Sequence, residues 1–516
     1  MQKGILIIDF GSQYTQLIAR RIRELNVYSE IHPYNRISIR LLRDLDPCGI
    51  ILSGGPNSVL DKHAPFLPKL ILDLGRPILG ICYGLQILSK YFGAEISSSF
   101  NREYGHAEIK IKSKSEIIPT NWHRNKKVKV WMSHGDNVKK TPKDFSVVAI
   151  SNNNIIAIIQ NTKKKIFGLQ FHPEVEHTEY GNQFIKRYIF TICEAKPNWI
   201  INNFISKKTR ELKKIVNNDK VICGLSGGVD SSVTSYLLYK AIGKQLYCIF
   251  VDHGFLRIGE LEEVKIFYKK KFNKNIIYVN AKNLFLKKLK GISDPEKKRK
   301  IIGNTFIQVF EREAKKLSNV KYLAQGTLYA DVIESKSFFG GPSSKIKSHH
   351  NVGGLPKKMN LKILEPLREL FKDEVRSLGK KLGLNSKILY RHPFPGPGLA
   401  IRIPGVVSKY KINLLQQADE IYTNFLKEKK LYSKIWQAFA VLLPVKSVGV
   451  MGDKRTYNYS CVLRAVTSKD GMTADFYLFT KSEFTEISNK IINNVKGINR
   501  VIYDFTSKPP GTIEWE

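Results

Sequence analysis

The run Ser226-Gly227-Gly228-Val229-Asp230-Ser231-Ser232 lies directly behind the apolar stretch Val221 to Leu225 and constrains this chain more than any other segment. A short apolar strand ends in a glycine pair. Asp230, Ser231 and Ser232 then open an apolar, helix-length stretch from Val233 to Ile242. The implied geometry is strand, tight turn, helix N-terminus. Backbone N–H groups and hydroxyls converge there on one small volume, and the helix dipole favours an anion in it. The natural guest is a phosphate or pyrophosphate. No lysine follows the glycines, so the segment is not a Walker A loop.

Around this joint the pattern is α/β. Strands are expected at 221–225, 245–251, 276–279 and 321–325, alternating with helical stretches. That order predicts a doubly wound parallel sheet, which binds ligands at the carboxyl ends of its strands. The first 196 residues open in the same style. Apolar strands are expected at 4–9, 49–52 and 77–81, with helices near 13–25 and 83–92, then a shorter strand texture from about 103 to 170. Lys196-Pro197-Asn198-Trp199 reads as a boundary. The segment His392-Pro393-Phe394-Pro395-Gly396-Pro397-Gly398 breaks helix and strand alike and opens a third unit. The expected domains are therefore 1–196, 197–391 and 392–516. A chain of 516 residues is long enough for that many separate cores.

Composition excludes several classes. Hydrophobic residues make up 42% and aromatic residues 11%, which rules out a disordered chain. No apolar run approaches a membrane span, and no signal-peptide pattern precedes the first strand. Six cysteines are scattered without a C-x-x-C pair, as expected of thiols in a reducing compartment, so a cytoplasmic location is expected. The net charge of +39 invites a nucleic-acid reading. The lysines are spread along the whole chain beside Asn and Ile, which looks like a bias toward A·T-rich codons. No basic patch is interleaved with aromatics. A solvated surface is expected, without a nucleic-acid or membrane partner.

A second centre lies in the first unit. Cys82 falls between a strand and a helix in Gly80-Ile81-Cys82-Tyr83-Gly84, the logic of a nucleophile elbow. The helix N-terminus favours its thiolate. A cysteine nucleophile needs a base, and the base needs a partner that orients it. His172 and Glu174 stand two apart behind a strand-like run and can both reach one site. Gly54 and Gly55 end another strand and can offer N–H groups to an oxyanion. Taken singly these residues are weak signals, since a buried structural cysteine is as common as a reactive one. His134, in Met132-Ser133-His134-Gly135-Asp136, is read as structural or substrate-adjacent, with a local hydrogen bond to Asp136.

Together these residues resemble the triad glutaminase domain of class I amidotransferases, supported by Asp9-Phe10-Gly11-Ser12-Gln13 and Gly54-Gly55-Pro56. The Ser226–Ser232 run resembles the pyrophosphate loop of enzymes that split ATP into AMP and pyrophosphate. Further segments narrow the resemblance: Val251 to Arg257, Lys298 to Gly303, Gly326 to Ser335, Lys347 to Pro356, Glu365 to Glu374 and Lys508 to Glu516. Over essentially its full length the chain resembles the glutamine-hydrolysing GMP synthetases. The resemblance implies an α/β protein: a class I amidotransferase domain, a doubly wound ATP pyrophosphatase domain and a smaller α+β dimerisation domain. It implies that ATP adenylates the C2 oxygen of XMP and that ammonia from glutamine displaces AMP. It assigns Ser226, Gly227, Gly228, Val229, Asp230, Ser231, Ser232 and Lys372 to ATP, Asp230 also to Mg²⁺. Arg299, Gln437, Arg500, Lys508, Ile513 and Glu514 match positions that bind XMP, although Arg299 alone would read as a solvated helix residue. A homodimer is implied as well.

Two positions depart from the family pattern. His253 stands in place of Asn and is expected to touch adenine or ribose contacts slightly. Ala330 stands in place of Pro and is expected to loosen a loop. NAD synthetases, argininosuccinate synthetases and tRNA thiolation enzymes share the pyrophosphate loop, but the Lys508–Glu516 segment argues against all three. A catalytically dead binding protein is opposed by intact Cys82, His172 and Glu174.

Overall fold

The computed structural model describes residues 3–337 and 361–516, apart from 121, 123–124, 273–274, 452–453, 469–472 and 509. The expected motif at 347–356 lies outside the described residues, as does Pro509. The chain forms two compact units, the first comprising the described residues up to Phe204 together with 333–337, the second Ile205 to Val332 and 361 to Glu516.

The first unit is built on a nine-stranded sheet. Its strands are β1 (Ile5–Asp9), β2 (Ser29–Pro33), β3 (Gly49–Leu52), β4 (Ile78–Ile81), β5 (Glu95–Ile111), β6 (Lys127–Lys140), β7 (Ser146–Ser151), β8 (Ile156–Asn161) and β9 (Ile166–Leu169). The order is β2-β1-β3-β4-β9-β8-β7-β5-β6. The first five pair in parallel and the rest are antiparallel. Every residue of β3, β4 and β9 is buried, which explains their unbroken apolar sequence. Helices Thr15–Glu24 and Tyr83–Tyr91 follow β1 and β4 as expected. The strands after residue 94 are mixed in length: β7, β8 and β9 are short, as expected, but β5 has 17 residues and β6 has 14. Their register shifts between Ser98 and Glu103, which interrupts the alternation a sequence reading relies on.

The expected boundary at 196–199 is docked onto this unit. Asn198 Nδ2 donates to the Lys3 carbonyl at 2.6 Å, and the Arg23 guanidinium lies 4.1 Å from the centre of the Trp199 ring. The chain leaves the unit later, at Phe204.

The second unit holds two sheets. In the first, β10 (Lys220–Leu225), β11 (Leu246–Asp252), β12 (Ile276–Asn280), β13 (Val320–Ala324) and β14 (Lys362–Leu364) run parallel in the order β12-β11-β10-β13-β14. Strand order reverses at β10, so the segment behind β10 opens at the topological switch point where such sheets bind ligands. The second sheet contains β15 (Gln437–Met451), β16 (Lys454–Thr467), β17 (Asp475–Phe476) and β18 (Ile498–Tyr503), with β18 parallel to β16. Helices Lys409–Glu428 and Lys481–Asn494 cover one face. One apolar cluster runs through both sheets, from Ile222 and Ile249 to Leu415, Leu463 and Ile498.

Candidate active sites

Cys82 is placed by strain. It caps helix Tyr83–Tyr91 with φ 52° and ψ −107°, a backbone region that a non-glycine residue rarely adopts. Its N–H donates to the Leu169 carbonyl at 2.7 Å, and its carbonyl accepts from Gln86 N at 3.1 Å to start the helix. The turn closes only because Gly84 lacks a side chain: a Cβ there would stand 2.3 Å from the Leu52 carbonyl. The thiol thus sits at the carboxyl end of β4, beside the end of β9.

His172 follows β9 and points to the same place. Cys82, His172 and Glu174 are 4%, 3% and 0% exposed. His172 Nδ1 and Glu174 Oε1 are 2.7 Å apart. Burial pulls the imidazole pKa down, but the Glu174 charge and hydrogen bonds with Cys82 and Glu174 outweigh it. The net effect holds the His172 proton well above its ordinary range. Glu174 is fixed from behind, because Arg21 Nε donates to its backbone carbonyl at 3.1 Å. Gly54 closes the site from β3: a Cβ on it would lie 3.0 Å from the His172 ring. The structure therefore brings together Cys82, His172, Glu174 and Gly54.

His134 is buried and makes the expected local bond, but to the Asp136 backbone carbonyl, at 3.1 Å. The Asp136 carboxylate turns instead to Ser58 and the Val59 N–H. His134 Nε2 faces Glu103, 3.3 Å away on β5. Thirty-one residues separate this pair, and no local signal announces it.

In the second unit, helix Val229–Ile242 begins directly behind the glycine pair. Gly227 has φ 72°, which a side chain would strain. Ser226 and Ser231 hydroxyls lie 3.0 Å apart, and Ser231 and Ser232 both donate to the Gly228 carbonyl. Lys372 Nζ donates to both Asp230 carboxylate oxygens, at 2.7 and 2.6 Å. Sequence reasoning missed Arg391, which donates to the Gly227 carbonyl at 3.2 Å and to buried Glu260 at 2.8 Å. Its place beside the loop exists only in the folded chain.

His253 is packed into the interior. It is 4% exposed, accepts the Phe255 N–H at 3.1 Å and lies among the rings of Phe255, Phe285 and Phe306. Burial lowers its pKa to about 4. Ala330 is not in a loop. It is half-buried in the first turn of helix Tyr329–Ser337, where proline would also be tolerated.

The residues matched to XMP separate into groups. Glu514 Oε1 accepts from Gln437 Nε2 at 2.6 Å and from Arg402 at 2.8 Å. Arg299 is close by: burial lowers its pKa, against support from the charges of Glu296, 3.9 Å away, and of Glu514 and Glu516. Its Nε and Nη2 are buried without a hydrogen-bond partner. Ile513 is buried against Phe439, Val441 and Val462. Lys508 pairs with Ala474 in an antiparallel bridge. Arg500 is elsewhere. It pairs with Ser460 on β16, whereas Gln437 pairs with Val466, roughly 20 Å further along that strand.

A cysteine elbow with a buried His–Glu partner, joined to a doubly wound unit with a pyrophosphate-type loop, defines a glutamine amidotransferase coupled to a nucleotide-using synthetase. Comparison with known proteins agrees. The family profile "Glutamine amidotransferase class-I" matches residues 6–192, "NAD synthase" matches 200–283, and "GMP synthase C terminal domain" matches 424–515. A GMP synthase [glutamine-hydrolyzing] of Zymomonas mobilis is 53% identical over 100% of this chain and 98% of its own. One of Brachyspira hyodysenteriae is 54% identical over 99% of each chain. The chain belongs to the glutamine-hydrolysing GMP synthase family.

Proposed function

We propose that this chain makes GMP by amination of XMP, as a carbon–nitrogen ligase with glutamine as amido donor. XMP, ATP, glutamine and water give GMP, AMP, pyrophosphate and glutamate. The observation that carries this reading is the cluster of Arg299, Gln437 and Glu514. It adds a polar site with unpaired donors to the same unit as the pyrophosphate loop.

In the amidotransferase unit Cys82 attacks the glutamine amide carbon as thiolate. His172 gives the departing ammonia its proton, and Glu174 holds the imidazole in place and balances its charge. Gly54 and Gly55 donate to the developing oxyanion. His172 then takes a proton from the water that releases glutamate from Cys82.

In the second unit residues Ser226 to Ser232 cradle the pyrophosphate part of ATP. The XMP C2 oxygen attacks the α-phosphorus and pyrophosphate leaves. Oxygen is a poor leaving group from the purine ring and AMP is a good one, so ammonia displaces AMP at C2. Arg299, Lys508, Ile513, Gln437 and Glu514 hold the XMP. Among the described residues no group of three or more His, Cys, Asp or Glu side chains could cage a metal. Asp230 alone, at the helix N-terminus, suits Mg²⁺ shared with nucleotide phosphates and water. The ion offsets phosphate charge. The Asp230–Lys372 pair is half-exposed and weakly held, so Lys372 can turn to a phosphate when ATP arrives.

The units of function proposed are 1–196, 197–391 and 392–516, the last serving dimerisation. In a homodimer Arg500, distant from the Glu514 cluster of its own chain, can serve the other copy. A cytoplasmic setting fits, and no helix among the described residues is long and apolar enough to cross a membrane. AMP release measured with XMP, IMP and nicotinate nucleotides tests the reading. XMP-dependent release is expected, and release with a nicotinate nucleotide in its place would overturn it.

A further inference from the structure

The last eleven residues are not held as a chain end usually is. Three almost fully buried cations grip them. Arg464, 1% exposed, donates to the carbonyls of Thr506, Thr512 and Ile513 at 2.9, 2.9 and 2.8 Å. Arg402, 0% exposed, donates through Nε and Nη2 to Glu514 at 3.1 and 2.8 Å. Lys298, also 0% exposed, donates to Glu516 at 2.6 Å and to the Ala400 and Ile403 carbonyls. None of the three is called for by folding alone. A buried cation costs more to desolvate than a well-packed apolar side chain of its size.

Arg402 is the informative one. Its Cζ lies over the rings of Phe439 and Phe394, 4.2 and 5.2 Å from their centroids. Its Nη1 has no hydrogen-bond partner and faces Asp419 at 3.8 Å. The guanidinium is thus packed against two rings, with one edge facing Asp419 and the other spent on Glu514. A carboxylate offers about four acceptor positions. Gln437 and Arg402 Nη2 take two on Oε1, and Arg402 Nε takes one on Oε2. A single acceptor position is left, on Oε2, and its direction is set by the fork.

We infer that Arg402 is the positioning residue that sets base recognition: by clamping Glu514 it leaves one directed acceptor for one purine ring N–H. Arg464 and Lys298 hold the segment on either side so that the clamp cannot drift. This rests on the reading that Glu514 meets XMP. A lysine at 402 would keep the charge beside Asp419 and Glu514 but could not form the two parallel bonds.

Ammonium-driven synthesis tests the inference in R402K, R402M, E514Q and the R402M/E514Q double variant, with KM for XMP, KM for ATP and kcat read separately. R402M is expected to raise the XMP KM about tenfold or more, the scale of a lost charge-assisted fork, with a much smaller change for ATP. R402K should fall between R402M and the unaltered protein. The double variant should be no worse than E514Q, because Arg402 acts through Glu514. A folded R402M with an unaltered XMP KM, or losses that multiply in the double variant, would overturn the inference. If R402M does not fold, R402K decides, and an unchanged XMP KM there would overturn it equally. An E514Q variant with unchanged XMP KM would instead overturn the parent reading of Glu514.

Discussion

In the first unit the reacting groups are already in contact. Cys82, His172 and Glu174 are buried, a strained backbone aims the thiol, and the His172–Glu174 bond is made. In the second unit the corresponding groups are partnered with stand-ins. Lys372 holds Asp230, the loop serines bond to one another and to Gly228, and Arg299 keeps two donors without partners. The difference follows from what each site must bind. The amide of glutamine is neutral, so a charged dyad can be prebuilt and shielded. ATP and XMP bring several negative charges, so on the proposed reading the cations and donors of the second site would exchange partners when the nucleotides arrive.

The largest expected effect separates the two centres. Cys82→Ala should abolish glutamine-dependent GMP formation and leave ammonium-dependent synthesis intact. Loss of both activities in a folded variant would break the division of labour. Asp230→Ala should stop AMP release with either nitrogen source, and the Mg²⁺ dependence of any residual rate should change. Unaltered turnover and metal dependence would remove the metal role. Glu174→Gln keeps the shape beside His172 but removes the charge that supports its proton. Glutamine hydrolysis should fall by roughly 10²–10⁴, with ammonium-dependent turnover retained.

A smaller effect concerns acid. His253 and His392 are buried and neutral, with burial as the main cause lowering each pKa to about 4. Their unfolded value is about 6.5. As pH falls below about 6.5 the unfolded chain takes protons that the folded one refuses. Each histidine therefore withdraws up to about 3 kcal/mol of stability, progressively down to pH about 4. His172 has the opposite sign: its contribution is present in acid and lost as pH rises through its raised folded value. Calorimetry from pH 7.5 to 4.5 should show the second unit's transition falling first, and His253→Asn should reduce that fall. A first unit that melts earlier in acid would reverse the comparison. Least of all, Ala330→Pro should shift stability by no more than about 1 kcal/mol, because the Ala330 N–H is a first-turn donor. A large loss of melting temperature would show that this N–H has a partner.

Much of this was legible in the sequence because it is local. The strand-to-helix joints at Cys82 and Ser226 need glycines at fixed offsets, and those offsets can be counted. The parallel strands are buried on both faces and read as unbroken apolar runs. The long β5–β6 pair was less legible, since its shifted register hides the alternation. Asn198 and Trp199 carry the composition of a linker but the contacts of a docked segment, which composition alone does not reveal.

The chain order by itself determined the class of chemistry: a thiol at an elbow, a base two residues from its carboxylate, and a loop with donors for an anion. Spacing of a few residues dictates such geometry, since the backbone has few ways to turn. Only the tertiary structure decided which charges meet across the chain. It set Glu103 against His134, Arg391 against Gly227 and Glu260, Arg402 against Glu514, and Lys298 against Glu516. It also placed His253 among phenylalanines and kept Arg500 away from Gln437. These pairings bridge 31 to 218 residues. Burial makes them specific: an unpaired charge is costly in the interior, so a fold that pairs these groups is favoured over one that leaves them apart.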